Sequence, residues 1–332
     1  MVIASFLICS VLEPSVPASV APLSGFLNLD KPIGLTSRDV VNRVVRAFRK
    51  PKPKVGHAGT LDPLASGVLV VAIGSATRLI EQVQRQPKTY LATLLLGATS
   101  DTLDADGTLT PVLDPPIPTE SQVREALAAQ VGTIEQRPPA YSALWIEGKR
   151  AYELAREGKT VELAPRTVRI DRIDLIRWEW PYLEISVECG SGTYIRSIAR
   201  DVGDALGCGG LIASLRRTRI GPFLEEDAIP PEPKFLTLES IAGRLRPPLD
   251  AVADCPKICL NENQATAIGR GQAIEVTATG LSLPIDAGEV ALLAPNGSLL
   301  ALGELDPTSR MIQPRRVFPE SKIHPPRSSE SS

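Results

Sequence analysis

A glycine-rich stretch, KVGHAGTLDPLASGVLVVAIG at residues 54–74, holds the residues with the clearest chemical potential. It contains one of the two histidines, His57, and a single carboxylate, Asp62, which Pro63 follows directly. Proline fixes its own φ and keeps the preceding residue extended, so we expect Asp62 on a rigid turn. Such a loop is typical of a phosphate site, a metal site, a catalytic acid or an ordinary turn.

The motifs of several known sites are incomplete in this chain. A phosphate-binding P-loop requires Lys-Ser or Lys-Thr after its second glycine, and neither follows here. The run from Asp104 to Gly107 resembles a calcium loop, but Thr102 and Leu113 stand where acidic ligands are required, which predicts a turn. A glycosidase needs a second carboxylate opposite Asp62, and a serine triad needs a nucleophile elbow. The sequence indicates neither a second carboxylate opposite Asp62 nor a nucleophile elbow. Asp62 is therefore either an ordinary turn residue or a single catalytic acid.

Positive charge is concentrated beside this loop. The formal net charge of the whole chain is −2, so an anionic partner would have to meet a local patch. Between Asp39 and Asp62 the chain contains no acidic residue and these cations: Arg43, Arg46, Arg49, Lys50, Lys52 and Lys54. A solvated helix face is the ordinary explanation, but the imbalance favours an anion-binding surface.

Strands and helices alternate irregularly around these residues. Apolar runs or alternation predict strands at residues 26–29, 68–73, 88–97 and 183–189. Apolar residues at helical spacing predict helices from Thr36 or Ser37, at residues 77–83, at residues 121–131 with Ser121 as cap, and from about Thr193. This order predicts an α+β fold around a central mixed or antiparallel sheet.

Composition changes along the chain predict its domain boundaries. We expect a leader at residues 1–24, disordered and without the basic flank of a signal peptide, before a catalytic domain at 25–230. A proline-rich and charged linker is predicted at 231–248. A β-rich module at 249–318, with a hairpin turning at Asn296-Gly297, precedes a disordered tail at 319–332.

The cysteines indicate neither a disulfide framework nor a zinc site. All five are widely spaced apart from Cys255 and Cys259, which lack a second nearby pair of cysteine or histidine ligands. Free thiols of this kind are typical of a reducing cytoplasm, where we expect the protein to act.

Six blocks in this order resemble the TruB family of tRNA pseudouridine synthases. They span about residues 25–223 and are LNLDKPIGLTS, GHAGTLDPLASGVL, KTYLATLLLGATSDTLDADG, PPAYSALWIEGKRAYELAREG, SGTYIRSIARDVGDALGCGG and LRRTRIG. The resemblance implies the pseudouridine-synthase fold and a small PUA-like domain at the carboxyl end. It also implies isomerisation of uridine-55 in the T arm of tRNA by a monomer, with no cofactor, metal or membrane.

The same resemblance implies roles for individual residues. Asp62 matches the essential acid, which acts either as a nucleophile or as a base on the ribose, and Arg196 matches the arginine that pairs with it. Tyr90 matches the tyrosine that stacks on the flipped uridine, and Tyr194 a second uridine contact. His57 matches the histidine that takes part in flipping.

Further residues are expected to contact the substrate or its phosphates. Leu215 matches a leucine that lines the pocket, and Lys31 is expected to contact the substrate. Ser191 stands where the family often has a lysine, which removes one expected phosphate contact. The expected phosphate contacts are Arg43, Arg46, Arg49, Lys50, Lys52, Lys54, Arg216, Arg217 and Arg219.

Two other functions are compatible with parts of the sequence. A non-catalytic RNA-binding or tRNA-folding protein could use the same scaffold, although Asp62, Tyr90 and Arg196 together favour catalysis. A hydrolase acting on a glycosidic bond would need a second positioned carboxylate.

Overall fold

The computed structural model describes residues 23–141, 145–146, 149–150, 163–275, 288–306 and 308–318. Of the predicted leader, only Leu23 and Ser24 fall in these ranges. The predicted tail at 319–332 and most of the block at 138–158 lie outside them. In the described ranges, none of the helices is both long and apolar enough to cross a membrane.

Thirteen strands precede the carboxyl-terminal part of the described chain. They are β1 (Gly25–Lys31), β2 (Val55–His57), β3 (Ser66–Ile73), β4 (Lys88–Leu96), β5 (Ala98–Ser100), β6 (Leu109–Pro111), β7 (Gly132–Gln136), β8 (Trp145–Ile146), β9 (Lys149–Arg150), β10 (Arg166–Glu179), β11 (Tyr182–Cys189), β12 (Gly210–Ile220) and β13 (Phe223–Leu224). Five more follow: β14 (Lys257–Cys259), β15 (Ile274–Glu275), β16 (Glu289–Leu293), β17 (Leu299–Asp306) and β18 (Met311–Val317).

The large sheet has the order β1-β3-β12-β4-β11-β10-β7, with β2 paired to β3 and β13 to β12. All its pairings are antiparallel except that of β12 with β3, which is parallel. The predicted α+β class with a central mixed sheet is therefore confirmed. Pairs β5–β6 and β8–β9 form two small separate sheets.

The described helices are α1 (Ser37–Arg46), α2 (Ile80–Arg85), α3 (Glu120–Ala128), α4 (Ile195–Ala205), α5 (Leu238–Arg244) and α6 (Glu262–Gly269). Thr36 caps α1, and its side chain exchanges hydrogen bonds with Asp39 across the first turn. The predicted cap of α3 was wrong: Thr119 caps this helix together with Gln122, and Ser121 lies inside the first turn. A Thr-x-x-Gln capping box satisfies two backbone N–H groups at once, which a lone serine cannot do.

Strand β3 divides the core into two layers because its side chains alternate between the two faces of the sheet. Leu69, Val71 and Ile73 belong to the apolar cluster that also contains Val44 of α1 and Val202 of α4. Val68, Val70 and Ala72 belong to a second cluster on the opposite face.

The carboxyl-terminal sheet has the order β14-β16-β17-β18-β15 and covers that opposite face. Leu293, Leu299 and Phe318 pack in the same cluster as Val68 and Val70. As predicted, the β16–β17 hairpin turns at Asn296, whose side chain accepts hydrogen bonds from the backbone and hydroxyl of Ser298. Burial of these apolar groups attaches the module to the back of the large sheet.

The segment predicted as a linker at 231–248 is instead packed against the domain that contains the large sheet. It contains α5, and the side chains of Leu236 and Ile241 are buried in the main core. Arg246 exchanges backbone hydrogen bonds with Phe26 of β1. The proline-rich composition reflects short turns along the domain surface rather than a free connection.

Candidate active site

The turn that carries Asp62 lies between β2 and β3 and is held on both sides. Ser37, the first residue of α1, donates its hydroxyl to the Leu61 carbonyl at 3.1 Å and accepts the Leu61 N–H at 2.8 Å. On the other side, the Gly34 N–H donates to the Pro63 carbonyl at 2.8 Å. Both residues that flank Asp62 are therefore tied through their backbone to the segment around the start of α1.

Lys31 belongs to this support and does not contact the solvent. It is 0% exposed, and its ammonium group donates to the carbonyls of Pro32, Leu35 and Pro63 at 3.0, 2.7 and 3.3 Å. Burial lowers the pKa of Lys31 to about 8. The expectation that Lys31 contacts the substrate or a phosphate was wrong, because backbone carbonyls hold its ammonium group in the interior.

We expect Ser37→Ala to destabilise the fold by about 1–3 kcal/mol, since the substitution leaves two buried backbone groups of Leu61 without a partner. Turnover is expected to fall as well, because the turn that orients Asp62 loosens. Urea denaturation and steady-state kinetics measure the two effects. Ser121→Ala, at an exposed position in α3, is the matched control. Equal stability of the two variants would contradict a supporting role for Ser37.

Arg196 joins two carboxylates, the buried Asp104 and Asp62, whose side chain is 38% exposed at the cleft. Its guanidinium lies 3.0 Å from an oxygen of Asp62 and 3.4 Å from an oxygen of Asp104. The same group donates to the carbonyls of Thr102 and Tyr141, each at 2.9 Å, and the residue is only 6% exposed. Bonds to four acceptors fix the plane of the guanidinium and, through it, the position of the Asp62 carboxylate.

The electrostatics of Asp62 reflect two opposing effects. Burial raises the pKa of Asp62 above 3.8, and the Asp104 charge acts in the same direction. The charges of Arg196, Lys31 and Arg217 oppose this rise. The Asp62 carboxylate is thus partly desolvated and paired with Arg196, and the raised pKa is the net result of these opposing effects.

The role of Asp104 was missed by reasoning from the sequence, which predicted only a turn at this position. Its side chain is 7% exposed and accepts a hydrogen bond from the Thr102 hydroxyl at 2.6 Å. The backbone of the next residue, Ala105, donates to Ile212 of β12 at 2.9 Å. The acidic run from Asp101 to Asp106 was the available signal, but nothing in it distinguishes the buried carboxylate from its exposed neighbours.

A cleft of about 460 Å³ opens beside Asp62. Four further predicted substrate residues line it: Tyr90, Tyr194, Arg196 and Leu215. Tyr90 on β4 and Leu215 on β12 are each 8% exposed, so they form its inner wall. Burial raises the pKa of the Tyr90 hydroxyl, which keeps this residue neutral.

Tyr194 is held at the entrance of the cleft by its backbone. Its N–H donates to the side-chain oxygen of Gln136 at 2.8 Å, and its carbonyl accepts from the Gln136 amide nitrogen at 3.2 Å. Gln136 is 0% exposed. This buried glutamine, which the sequence did not single out, fixes the start of α4 and therefore positions both Tyr194 and Arg196.

His57 lies outside the lining of this cleft, on β2. Its Nδ1 is buried and has no hydrogen-bond partner among the described residues. Burial and the nearby charges of Arg217 and Arg38 lower the pKa of His57, so the ring is neutral at physiological pH. The structure does not bring His57 together with Asp62 in one cleft, and its part in flipping stays a prediction.

The expected phosphate contacts fall into two groups. Several are exposed on the last turn of α1 and the loop after it: Arg46, Arg49, Lys50, Lys52 and Lys54. Arg43 is half-buried and donates to the Pro231 carbonyl at 3.1 Å. Arg219 is also half-buried, and its Nε donates to the Gly221 carbonyl at 2.9 Å.

For Arg217 of β12 the expectation of a phosphate contact was wrong, whereas for Arg216 it stays a prediction. Arg217 is 1% exposed and donates to the carbonyls of Val68 and Gly59, so it is part of the interior behind the cleft. Arg216 forms ion pairs with Asp30 at 3.0 Å and Glu225 at 2.7 Å, and its side chain is 35% exposed.

Glycine at position 67 serves the sheet rather than an RNA ligand. Gly67 has φ +97°, and a Cβ atom there would lie 2.2 Å from the Arg217 carbonyl oxygen. Any side chain would therefore separate β3 from β12.

In the described ranges, no group of three or more His, Cys, Asp or Glu side chains is arranged to hold a metal ion. The chemistry that this cleft offers is that of a paired carboxylate beside aromatic and aliphatic surfaces.

Comparison with known proteins gives consistent family matches along the chain. Residues 46–195 match the TruB family pseudouridylate synthase N-terminal domain, and residues 196–245 match the tRNA pseudouridylate synthase B C-terminal domain. The tRNA pseudouridine synthase B of Syntrophomonas wolfei is 40% identical over 302 residues, which cover 89% of this chain and 99% of the relative. That of Gluconacetobacter diazotrophicus is 44% identical over 259 residues, which cover 77% and 84%.

Solved structures show the same fold. An H/ACA RNP bound to a substrate RNA containing 2′-deoxyuridine contains a chain that is 26% identical, with a TM-score of 0.67 and coverage of 91% of this chain and 87% of that one. A Cbf5-Nop10-Gar1 complex contains a chain that is 27% identical, with a TM-score of 0.64 and coverage of 88% and 84%. With identity of 40% over most of its length to a named relative, this chain belongs to the TruB family of pseudouridine synthases.

Proposed function

We propose that this chain isomerises uridine-55 in the T arm of tRNA to pseudouridine, with Asp62 as the catalytic residue. The observation that supports this most is the ion pair of Asp62 with Arg196, at 3.0 Å, inside a cleft lined by two tyrosines. Membership of the TruB family and relatives named as tRNA pseudouridine synthases agree with the proposal.

The reaction needs only proton transfers and one carboxylate. The N1–C1′ bond of uridine breaks, the base turns, and a C5–C1′ bond forms, after which the C5 proton leaves and N1 carries a proton. Substrate and product have the same composition, so the step is redox-neutral and consumes no co-reactant. Asp62 starts it as a nucleophile or as a base on the ribose, and both routes use the ionised carboxylate that Arg196 favours.

The target uridine must leave its stack in the T loop to reach Asp62. In our proposal the flipped base lies between the ring of Tyr90 and the side chain of Leu215, which form the inner wall of the cleft. Tyr194 contacts the nucleotide at the entrance. His57 acts on the neighbouring strand, where it occupies the space that the base leaves.

The exposed cations after α1 supply the affinity for RNA. Phosphate contacts position an RNA without reading its sequence, while the shape of the folded loop provides specificity. In our proposal the protein acts on tRNA as a monomer in the cytoplasm. The PUA-like module on the back of the sheet adds a second region of RNA contact.

The pH dependence of turnover is expected to show an acid limb above pH 3.8, because burial raises the pKa of Asp62 and only its ionised form reacts. The rate should therefore fall as the pH is lowered through this raised pKa. Single-turnover kinetics on a T-arm stem-loop between pH 4 and pH 8 measure the limb. Asp101→Asn, at an exposed carboxylate, should leave the limb unchanged. A rate constant that stays flat down to pH 4 would argue against Asp62 as the titrating group.

Tritium release tests the proposed function directly. The substrate is a T-arm stem-loop whose target uridine carries tritium at C5, and an identical loop labelled at another uridine is the control. Release from the first loop alone supports site-specific pseudouridine formation. Binding without release from either loop would overturn the proposal and favour an RNA-binding or RNA-folding protein.

A further inference from the structure

Arg166, at the start of β10, lines the same cleft as Asp62. Its guanidinium carbon lies 4.6 Å from the centre of the Tyr194 ring, and the guanidinium donates to the carbonyl of Gly192. Ser191, Gly192 and Thr193 line the cleft beside it. Arg166 is therefore placed at the entrance, next to a residue that contacts the nucleotide in the proposed function.

The other cations of the cleft lining are already bound within the protein. Arg196 holds two carboxylates, and Arg217 is buried against backbone carbonyls. Lys88 is 7% exposed and donates to the carbonyls of Gln84 and Gln86, each at 2.6 Å. None of these three can turn toward an RNA phosphate without breaking bonds in the interior.

Arg166 differs from them in exposure and in unused hydrogen-bonding capacity. It is half-buried, and in the described part of the chain no carboxylate lies within 4 Å of its guanidinium. Its Nε has no partner among the described residues. A guanidinium has five N–H donors in a planar fork that matches phosphate, and a stack on an aromatic ring fixes the plane of that fork.

The turn at Gly192 is shaped to admit this arginine. Gly192 has φ +88°, and a Cβ atom there would lie 3.4 Å from a guanidinium nitrogen of Arg166. A side chain at this position would strain the turn, because this φ favours glycine, while its Cβ would be in ordinary contact with the guanidinium. Ser191 is uncharged. Among the cations of the described cleft lining, Arg166 is therefore the one that is half-exposed.

We propose that Arg166 binds an RNA phosphate next to the flipped nucleotide, at the entrance of the cleft beside Tyr194. This inference rests on the proposed function, because it assumes that an RNA strand enters the cleft. The phosphate group lies against the fork while Tyr194 holds the guanidinium from behind. Arg166 thus contributes to binding and orientation, while Asp62 and Arg196 carry the chemistry.

The test compares the wild type with Arg166→Gln by fluorescence anisotropy on a T-arm stem-loop. We expect the Kd of the variant to rise about tenfold. The slope of log Kd against log salt concentration should fall by about the amount that one phosphate contact contributes. The single-turnover rate at saturating RNA should stay within about threefold of the wild type, since the contact between Arg166 and the phosphate is the same in the bound substrate and in the transition state. Arg169→Gln, at a strand position 75% exposed in its side chain and paired with Asp171, is the matched control.

Stem-loops with one neutral methylphosphonate linkage identify the phosphate. At one linkage beside the target uridine, the wild type should lose about tenfold in affinity while Arg166→Gln loses none. A purely structural role for Arg166 would weaken binding to every loop equally, and this result, or an unchanged Kd, overturns the proposal. Arg166→Lys keeps the charge, so its affinity should lie between the two if folding is intact.

The outcome separates this inference from the proposed function. Wild-type protein that binds the loop without tritium release refutes the synthase function, while the methylphosphonate comparison still decides the role of Arg166. Wild-type protein that binds no T-arm loop overturns both.

Discussion

Replacing Asp62 with asparagine is expected to abolish tritium release from the T-arm stem-loop while RNA binding persists. Asparagine has nearly the same shape but cannot act as a nucleophile or a base, so we expect the rate to fall by about 10⁴-fold. The Kd should stay within about threefold, since the phosphate contacts lie elsewhere. Single-turnover tritium release and anisotropy titration measure the two quantities.

The stability of this variant separates lost chemistry from lost folding. Burial raises the pKa of the Asp62 carboxyl group in the folded protein above its value in the unfolded chain. Protonation of this group therefore adds to the stability of the fold at pH values below the unfolded pKa, and this added stability is lost as the pH rises through the folded pKa. At neutral pH the neutral asparagine should therefore leave the protein at least as stable as the wild type, and Arg196 keeps Asp104 as a partner. Asp101→Asn is the matched control for activity. Residual turnover above about one per cent of the wild type would contradict a catalytic role for Asp62.

Replacing Arg196 with lysine is expected to lower the single-turnover rate by about 10²-fold, with a much smaller change in RNA affinity. A lysine offers one point charge and cannot hold Asp62, Asp104 and two backbone carbonyls at once. The Asp62 carboxylate then loses its fixed orientation. We also expect a lower free energy of unfolding, because at least one buried acceptor is left without a donor.

Arg200→Lys is the control for this experiment. Arg200 lies one turn along the same helix, is more exposed, and pairs with Asp201 at 2.7 Å. It should retain most of the activity. Equal losses of rate and RNA affinity in Arg196→Lys would show that Arg196 acts in binding rather than in orienting Asp62.

Local sequence patterns predicted most of the elements that surround the site. The apolar run after Asp62 became β3, and the spacing of Val40, Val41 and Val44 correctly indicated the buried face of α1. The hairpin at Asn296 was also correct. These features depend on neighbours within a few residues, where backbone propensities, turn chemistry and alternation dominate.

Charge pattern was a weaker guide to the site than motif resemblance. Lys31 and Arg217 are of the residue types that bind phosphate, yet both are buried and donate hydrogen bonds to backbone carbonyls. Nothing local distinguishes them from exposed cations such as Arg49, because burial is decided by strands from distant parts of the chain. Asp104 was missed for the same reason.

By itself, the sequence determined that this chain folds as an α+β protein with a rigid turn at Asp62, and its motifs placed it in the TruB family. The pairing of Arg196 with Asp62 was implied by the resemblance, but only the tertiary structure adds Asp104 to this pair and places Arg166 over the ring of Tyr194. The physical reason is that ion pairing and burial depend on the register of a mixed sheet, in which β12 inserts between β3 and β4. That register is the sum of many long-range contacts and is not encoded at any one position.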